Sequence, residues 1–335
     1  MARHEWVIII RNAYQPGLGC PALRKCMADT DTPKLDDYAR VERLNSATHV
    51  FAALASEQFR SGHWVFRGQG SAQWPLLPSL ERFARSIVDL PGVIEEYAVR
   101  EFQRRAHHYA NSLPETSSKL EWLALMRHHG SPTRLLDFTK SPYVAAFFAA
   151  TDAICDDAAA IWAIDALALK KHAAEVLKAE PMSFWVAEIG KKCLEGASFS
   201  DPEIFNRLGQ GIGPMPSVVA PVEPFRFNER MVLQQGLFLC PFAVGLGLAF
   251  EGALVNVLQR ARSSAGGGQE LLYKLVIEPP AHPHVLRELH RMNVNYASLF
   301  PDLDGLARSL SNVSKIRATT VPPPHRPDWE FDMSF

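Results

Sequence analysis

Apolar positions along the chain recur at helical spacing in some stretches and in short β-rich runs in others. Val41, Leu44, Val50, Phe51, Leu54, Ala55 and Phe59 follow a helical period and predict a helix over 36–60. The run His63-Trp64-Val65-Phe66 reads as a strand that ends at Arg67-Gly68, and Pro75 and Pro78 keep the chain extended up to Ser79. Helices are predicted over 92–110, from Val93 through Phe102 to Tyr109, and over 119–129, with Leu120, Trp122, Leu123, Leu125 and Met126. Gly130-Ser131-Pro132 breaks the second of these, and Thr133–Phe138 reads as a short buried strand. Ser141 is placed to cap a helix whose first residue is Pro142 and which continues through Tyr143–Ala150. Downstream, Ala159–Ile164, Met231–Phe238 and Glu270–Ile277 read as strands. Val244–Arg262 and His284–Met292 read as helices, and another begins at Pro301–Leu310. The Gly- and Pro-rich stretch 196–216 reads as a loop, and Ser263–Gly268 as a turn.

Strands and helices together along the chain predict an α+β fold. Residues 1–35, broken by Pro16-Gly17 and Pro33, are expected to be an irregular N-terminal extension. Residues 36–315 are expected to form the domain, and 316–335 a Pro-rich tail. With 335 residues, 47% of them hydrophobic and 21% charged, the chain can bury a sizeable core. The formal net charge of -1 gives no global attraction to polyanions, although a local basic cleft is compatible with a neutral average. The five cysteines, Cys20, Cys26, Cys155, Cys193 and Cys240, are scattered and form no CxxC pair; this predicts reduced thiols in a cytoplasmic protein and argues against zinc. No apolar run reaches the roughly 18 residues that would span a bilayer, so no membrane partner is expected. P-loop, GxGxxG, HExxH and GxSxG motifs are all absent.

Candidate chemistry lies in two segments. Arg67 at a strand end, followed by Gly68, presents a bidentate donor beside a residue with no Cβ, an arrangement suited to a phosphate or planar ligand. The plainer alternative is an arginine paired with a carboxylate. In the second segment, Thr133 and Arg134 flank a turn. Asp137 and Thr139 alternate with Leu136 and Phe138, and the helix start at Pro142 could receive a phosphate. Here the alternative is that Asp137 pairs with Arg134 and Thr139 caps the helix. His128 and His129 are adjacent, which disfavours a shared metal, though one of them can contact a ligand. The stretch Met231–Phe238 offers Gln234, Gln235 and a strand glycine.

These residues resemble the FRG domain, a family named for its Phe-Arg-Gly motif. The resemblance is carried by Phe66-Arg67-Gly68-Gln69 with Pro75–Leu80 and Arg82, by His129–Thr139 continuing to Ala149, by Asn228–Phe238, and by Phe300–Leu306. It runs from about residue 45 to 310. More distantly, the order Arg67-Gly68, then Thr139 with the Ala145–Ala149 helix, then Gln234-Gln235 resembles ADP-ribosyltransferase-like folds. That resemblance implies a mixed, mostly antiparallel sheet core of the ADP-ribosyltransferase-like type with surrounding helices, and NAD as substrate, with no metal. The activity it implies is ADP-ribosyl transfer or NAD glycohydrolysis, possible chemistry for a toxin or anti-phage effector. The acceptor would be nucleic acid, protein or water. Arg67, Gly68, Gln69, His129, Thr133, Arg134 and Thr139 would bind NAD. Arg67, Asp137, Glu229 and Gln235 would carry catalysis, with Asp137 or Glu229 supplying the charge that Gln235 lacks at the position where such folds carry a glutamate. The competing expectation is a non-catalytic module that binds a nucleotide or nucleic acid in the same cleft. A weaker one is a nuclease with a metal held by Asp137, Glu229 and His129.

Overall fold

A computed structural model describes residues 34–86, 91–153, 156–181, 183–209, 216–242, 250–264 and 270–318. Seven strands form one sheet: β1 (Arg40–Leu44), β2 (Trp64–Gln69), β3 (Leu136–Thr139), β4 (Ala159–Asp165), β5 (Val218–Val222), β6 (Gly236–Phe242) and β7 (Leu272–Ile277), in the order β1-β7-β4-β2-β3-β6-β5. The edge pair β1–β7 is parallel and the other pairings are antiparallel. The protein is therefore α+β with a mixed, mostly antiparallel sheet.

Alternation along the strands sends side chains to two cores, one on each face. Trp64, Phe66, Ile161, Ala163 and Leu275 pack with helices α1 (Ala47–Leu54), α5 (Pro142–Thr151) and α11 (His282–Arg291). Val65, Trp162, Ile164 and Leu239 pack with α4 (Lys119–His128), α6 (Ala166–Lys178), α7 (Phe184–Leu194) and α10 (Phe250–Ser264). The fold also contains α2 (Ser79–Ala84), α3 (Pro91–Ala106), α8 (Pro202–Gly209), α9 (Glu229–Leu233), α12 (Tyr296–Leu299) and α13 (Leu303–Ala318).

Several elements depart from the expected ones. The helix expected over 36–60 is divided. Residues 40–44 form strand β1, because their backbone pairs with β7, and only 47–54 are α-helical, capped by Ser46. A long-range ladder here overrides a local helical period. Part of the loop expected over 196–216 is α8, which buries Ile204, Phe205 and Leu208; 210–215 lie outside the described residues. Met231–Phe238 is not one strand. Asn228 caps α9, Gln235 turns the chain at φ 49°, and the strand begins at Gly236. The helix expected from Val244 is described from Phe250 onward, and 265–268 of the expected turn are outside the described residues. So are 1–33 of the N-terminal extension and 319–335 of the tail. Among the described residues no helix is long and apolar enough to cross a membrane.

Candidate functional site

The site arises where two neighbouring strands part. β2 pairs with β4 along its whole length, but with β3 only at Phe66 and Thr139. Beyond that pair Arg67 spans the gap, its Nη1 donating to the Asp137 carbonyl oxygen at 2.7 Å. A cleft of about 390 Å³ opens there, within the size range of small-molecule sites. It is lined by β2 and β3, by the end of α4, by the end of α5, and by α9 with the start of β6.

Three guanidiniums face this space: Arg67, Arg127 and Arg230. Arg127 Nε and Nη2 both donate to Asp137 Oδ2, at 3.0 and 2.5 Å, while Arg67 Nη1 lies 3.9 Å from the same oxygen. Burial opposes ionisation of Asp137, but Arg127, with Arg67 behind it, holds the carboxyl below the usual range. The Asp137 side chain remains 45% exposed. Burial lowers Arg67 to about 10, still cationic at neutral pH, and the Asp137 charge raises Arg127. Arg127 Nη1 also reaches Ser79 Oγ at 3.3 Å. That hydroxyl accepts the Thr133 N–H at 3.1 Å and so fixes the chain entering β3. Apolar contact comes from Phe148 and Phe238, and the exposed carboxylate of Asp152 completes the acidic lining.

Of the residues expected to act here, Arg67, Gly68, Asp137 and Thr139 line the cleft. Gly68 serves packing: a Cβ there would run into the Ala145 carbonyl oxygen and sit 2.6 Å from Ala149 N. Its absence lets α5 lie against β2. The Thr139 hydroxyl is already committed, donating to the Gln234 carbonyl at 2.6 Å and accepting the Ser141 N–H at 3.0 Å. At the α5 start, Ser141 Oγ takes the Val144 N–H, as the capping pattern predicts. Asp137 pairs with Arg127, not with Arg134.

The remaining six fall outside the lining. Gln69 is buried, accepting the Trp162 indole N–H at 2.8 Å and donating to the Pro75 carbonyl at 3.2 Å. Thr133 is buried, with its carbonyl accepting the Leu80 N–H. Arg134 is sealed in the core with Glu95, which accepts from its Nε at 2.6 Å and from its backbone N–H at 2.9 Å. His129 ends α4 and is exposed, and its neighbour His128 takes the place in the cleft. Glu229 projects from the exposed side of α9. Gln235 is exposed because the turn at φ 49° breaks the strand alternation that would have aimed it inward. Asp137, Glu229 and His129 are thus not brought together, and among the described residues no three His, Cys, Asp or Glu side chains group as metal ligands. Cys193 and Cys240 are buried thiols that burial pushes up to about 11 and 12, which leaves them un-ionised at neutral pH.

Arg127 and Arg230 were the residues that sequence reasoning passed over. Arg127 sits in the last helical turn before His128-His129-Gly130, where a helix end aims it at the following strand. Arg230 is adjacent to Glu229, and the helical geometry of α9 brings it inward in place of Glu229.

Residues 62–158 match the family model of the FRG domain. The blocks around Phe66–Gln69 and His129–Phe138 lie inside that span, so the resemblance read from them is borne out there; the Asn228–Phe238 and Phe300–Leu306 blocks lie beyond it. No curated protein and no solved structure matches the chain.

Proposed function

Taking the FRG domain at residues 62–158 as the premise, we propose that this protein binds a phosphate-bearing nucleotide, of which NAD is the leading candidate, in the cleft between β2 and β3. The observation that carries this reading is the convergence of Arg67, Arg127 and Arg230 on one cleft in a chain whose net charge is -1. Guanidiniums are the side chains best suited to bidentate phosphate recognition, and in a partly dry cleft their charge is weakly screened. Phe148 and Phe238 supply flat apolar surface for a base or nicotinamide ring.

A second reading adds turnover: ADP-ribosyl transfer or NAD glycohydrolysis at the same site. Asp137 favours it, because its carboxylate stays ionised and half exposed to the cleft, the condition for stabilising a developing ribosyl cation. The outward positions of Glu229 and Gln235 leave that role to Asp137 among the residues expected to serve it. NAD consumption is the chemistry by which such an enzyme would act as a toxin or anti-phage effector.

Calorimetric titration of the full chain with NAD, followed by chromatography for released nicotinamide, tests both readings. Binding that Arg127→Ala weakens supports the nucleotide site, and release abolished by Asp137→Asn supports turnover. Binding without release leaves the module reading in place. Absence of binding to NAD, ADP-ribose and ATP alike would remove the proposal.

A further inference from the structure

The three arginines of the cleft are not equivalent. Arg67 is engaged with the Asp137 carbonyl, and Arg127 with the Asp137 carboxylate and Ser79. Arg230 is different. Among the described residues no oxygen accepts a hydrogen bond from it and no carboxylate lies within ion-pair distance. Its guanidinium carbon sits 4.0 Å from the centre of the Phe300 ring. Phe300 is itself buried and braced edge-on against Phe148 at 6.1 Å, with Tyr296 at 5.4 Å. The adjoining segment is tied down as well, since Gln234 Nε2 donates to the Leu299 carbonyl at 3.0 Å. Stacking of this kind fixes the plane of a guanidinium while leaving its edge donors unused. A half-buried cation with idle donors is unfavourable unless something arrives to accept from them. Burial lowers the pKa of Arg230, in keeping with that unmet demand.

Across the cleft, Asp137 has the complementary vacancy. Both Arg127 donors and the nearer approach of Arg67 fall on Oδ2, and among the described residues no side-chain donor bonds Oδ1. An ionised carboxylate oxygen is an acceptor only, so it calls for a hydroxyl or amine. Arg230 and Asp137 are near enough to feel each other's charge.

We infer that Arg230, held flat on Phe300, is the phosphate-binding group of the cleft, and that Asp137, clamped by Arg127 and Arg67, receives a sugar hydroxyl of the same ligand. This assignment rests on the nucleotide reading above and narrows it to a ligand carrying both a phosphate and an unblocked ribose. Arg67 and Arg127 then act as positioning residues for the carboxylate. The Phe300 block, which lies beyond the matched family span, acts as the platform that orients Arg230.

The test compares ADP-ribose with adenosine by calorimetry on the full chain, in the unaltered protein and in Arg230→Ala, Arg230→Lys and Asp137→Asn, with thermal melting to confirm folding. The unaltered chain should prefer ADP-ribose. Arg230→Ala should reduce that preference by about tenfold to a hundredfold, the worth of charged hydrogen bonds. Arg230→Lys should give a smaller reduction, since charge survives and the bidentate edge does not. Asp137→Asn should weaken both ligands alike. If the unaltered chain binds ADP-ribose and Arg230→Ala binds it as tightly with the preference intact, the assignment is overturned while the nucleotide reading stands. If the unaltered chain binds neither ligand, both fall.

Discussion

The protein holds two arginine–carboxylate pairs whose arginines, Arg127 and Arg134, stand close together in sequence, and the two pairs are built in opposite ways. Arg134 and Glu95 are 5% and 0% exposed at their side chains, and Glu95 accepts from Arg134 through both its guanidinium and its backbone N–H. Nothing is left for a ligand, and the pair anchors α3 to the chain entering β3. Arg127 and Asp137 are 24% and 45% exposed, and among the described residues one carboxylate oxygen has no side-chain donor. The same residue types are committed to structure when sealed and saturated, and keep capacity to accept a partner when open and half saturated. Burial and the count of satisfied lone pairs separate them.

The largest expected effect comes from breaking the sealed pair. Glu95→Ala strands a buried guanidinium and should cost about 3–5 kcal/mol of stability, read from the urea midpoint. A loss below 1 kcal/mol would show that Arg134 can reach water, and the contrast would collapse. Gly68→Ala probes the wall behind the open pair. Its new methyl would meet backbone atoms of α5 that cannot rotate away, and should cost about 1–3 kcal/mol, seen as a lower melting temperature. An unchanged melting temperature would mean that α5 shifts freely against β2.

Glu81 offers an intermediate case, a buried carboxylate with no arginine of the described residues within ion-pair distance. Its Oε1 accepts the Phe250 N–H at 2.7 Å, and its Oε2 is buried with no partner among the described residues. Burial raises its pKa from 4.5 to about 7. Between those values the folded protein keeps a proton that the unfolded chain releases, so its contribution to stability falls as pH rises through the window. Glu81→Gln keeps an acceptor for Phe250 and removes that titration. It should be more stable than the parent at pH 8, by on the order of 2 kcal/mol, and close to it near pH 4.5. Equal stability at both pH values would refute the raised pKa. Asp137 has the opposite sign: its lowered pKa contributes stability above the ordinary carboxylate range, lost as pH falls through the folded value.

Breaking the open pair should affect stability less than ligand affinity. Arg127→Ala is expected to cost about 1 kcal/mol or less in unfolding experiments, because solvent screens a partly exposed pair. Nucleotide affinity should fall more than that. The reverse order would make the pair structural, like its sealed counterpart. The smallest effect belongs to Glu229→Gln, which lies on the exposed side of α9 and should leave NAD affinity unchanged in the same titration. A tenfold loss would return Glu229 to the site.

What was legible in the sequence was local. The Phe-Arg-Gly strand, the Ser141–Pro142 helix start and the Arg67–Asp137 region of the cleft could all be read from short patterns. What misled was decided at long range. β1 became a strand through pairing with β7, against its own helical period. Gly68 has its role because of a helix some eighty positions later, which no neighbour announces. Gln235 left the site through a single left-handed turn, and Arg230 entered it through the helical geometry of α9. Arg134 looked suitable for an anion, because only the distant Glu95 shows that it is sealed in the core.

The parallel pairing of β1 with β7 also sets the order in which the protein can be made. Lys274 in β7 bonds Asp36, just before β1, across 238 positions of chain, with Nζ at 2.8 and 2.9 Å from the two carboxylate oxygens. On a ribosome, β1 emerges early and finds its neighbour only after nearly the whole domain has been synthesised. Contacts of such long sequence separation form late and slow folding, and an unpaired strand is exposed to other chains while it waits. The sheet is thus completed by joining the two strands that lie farthest apart along the chain.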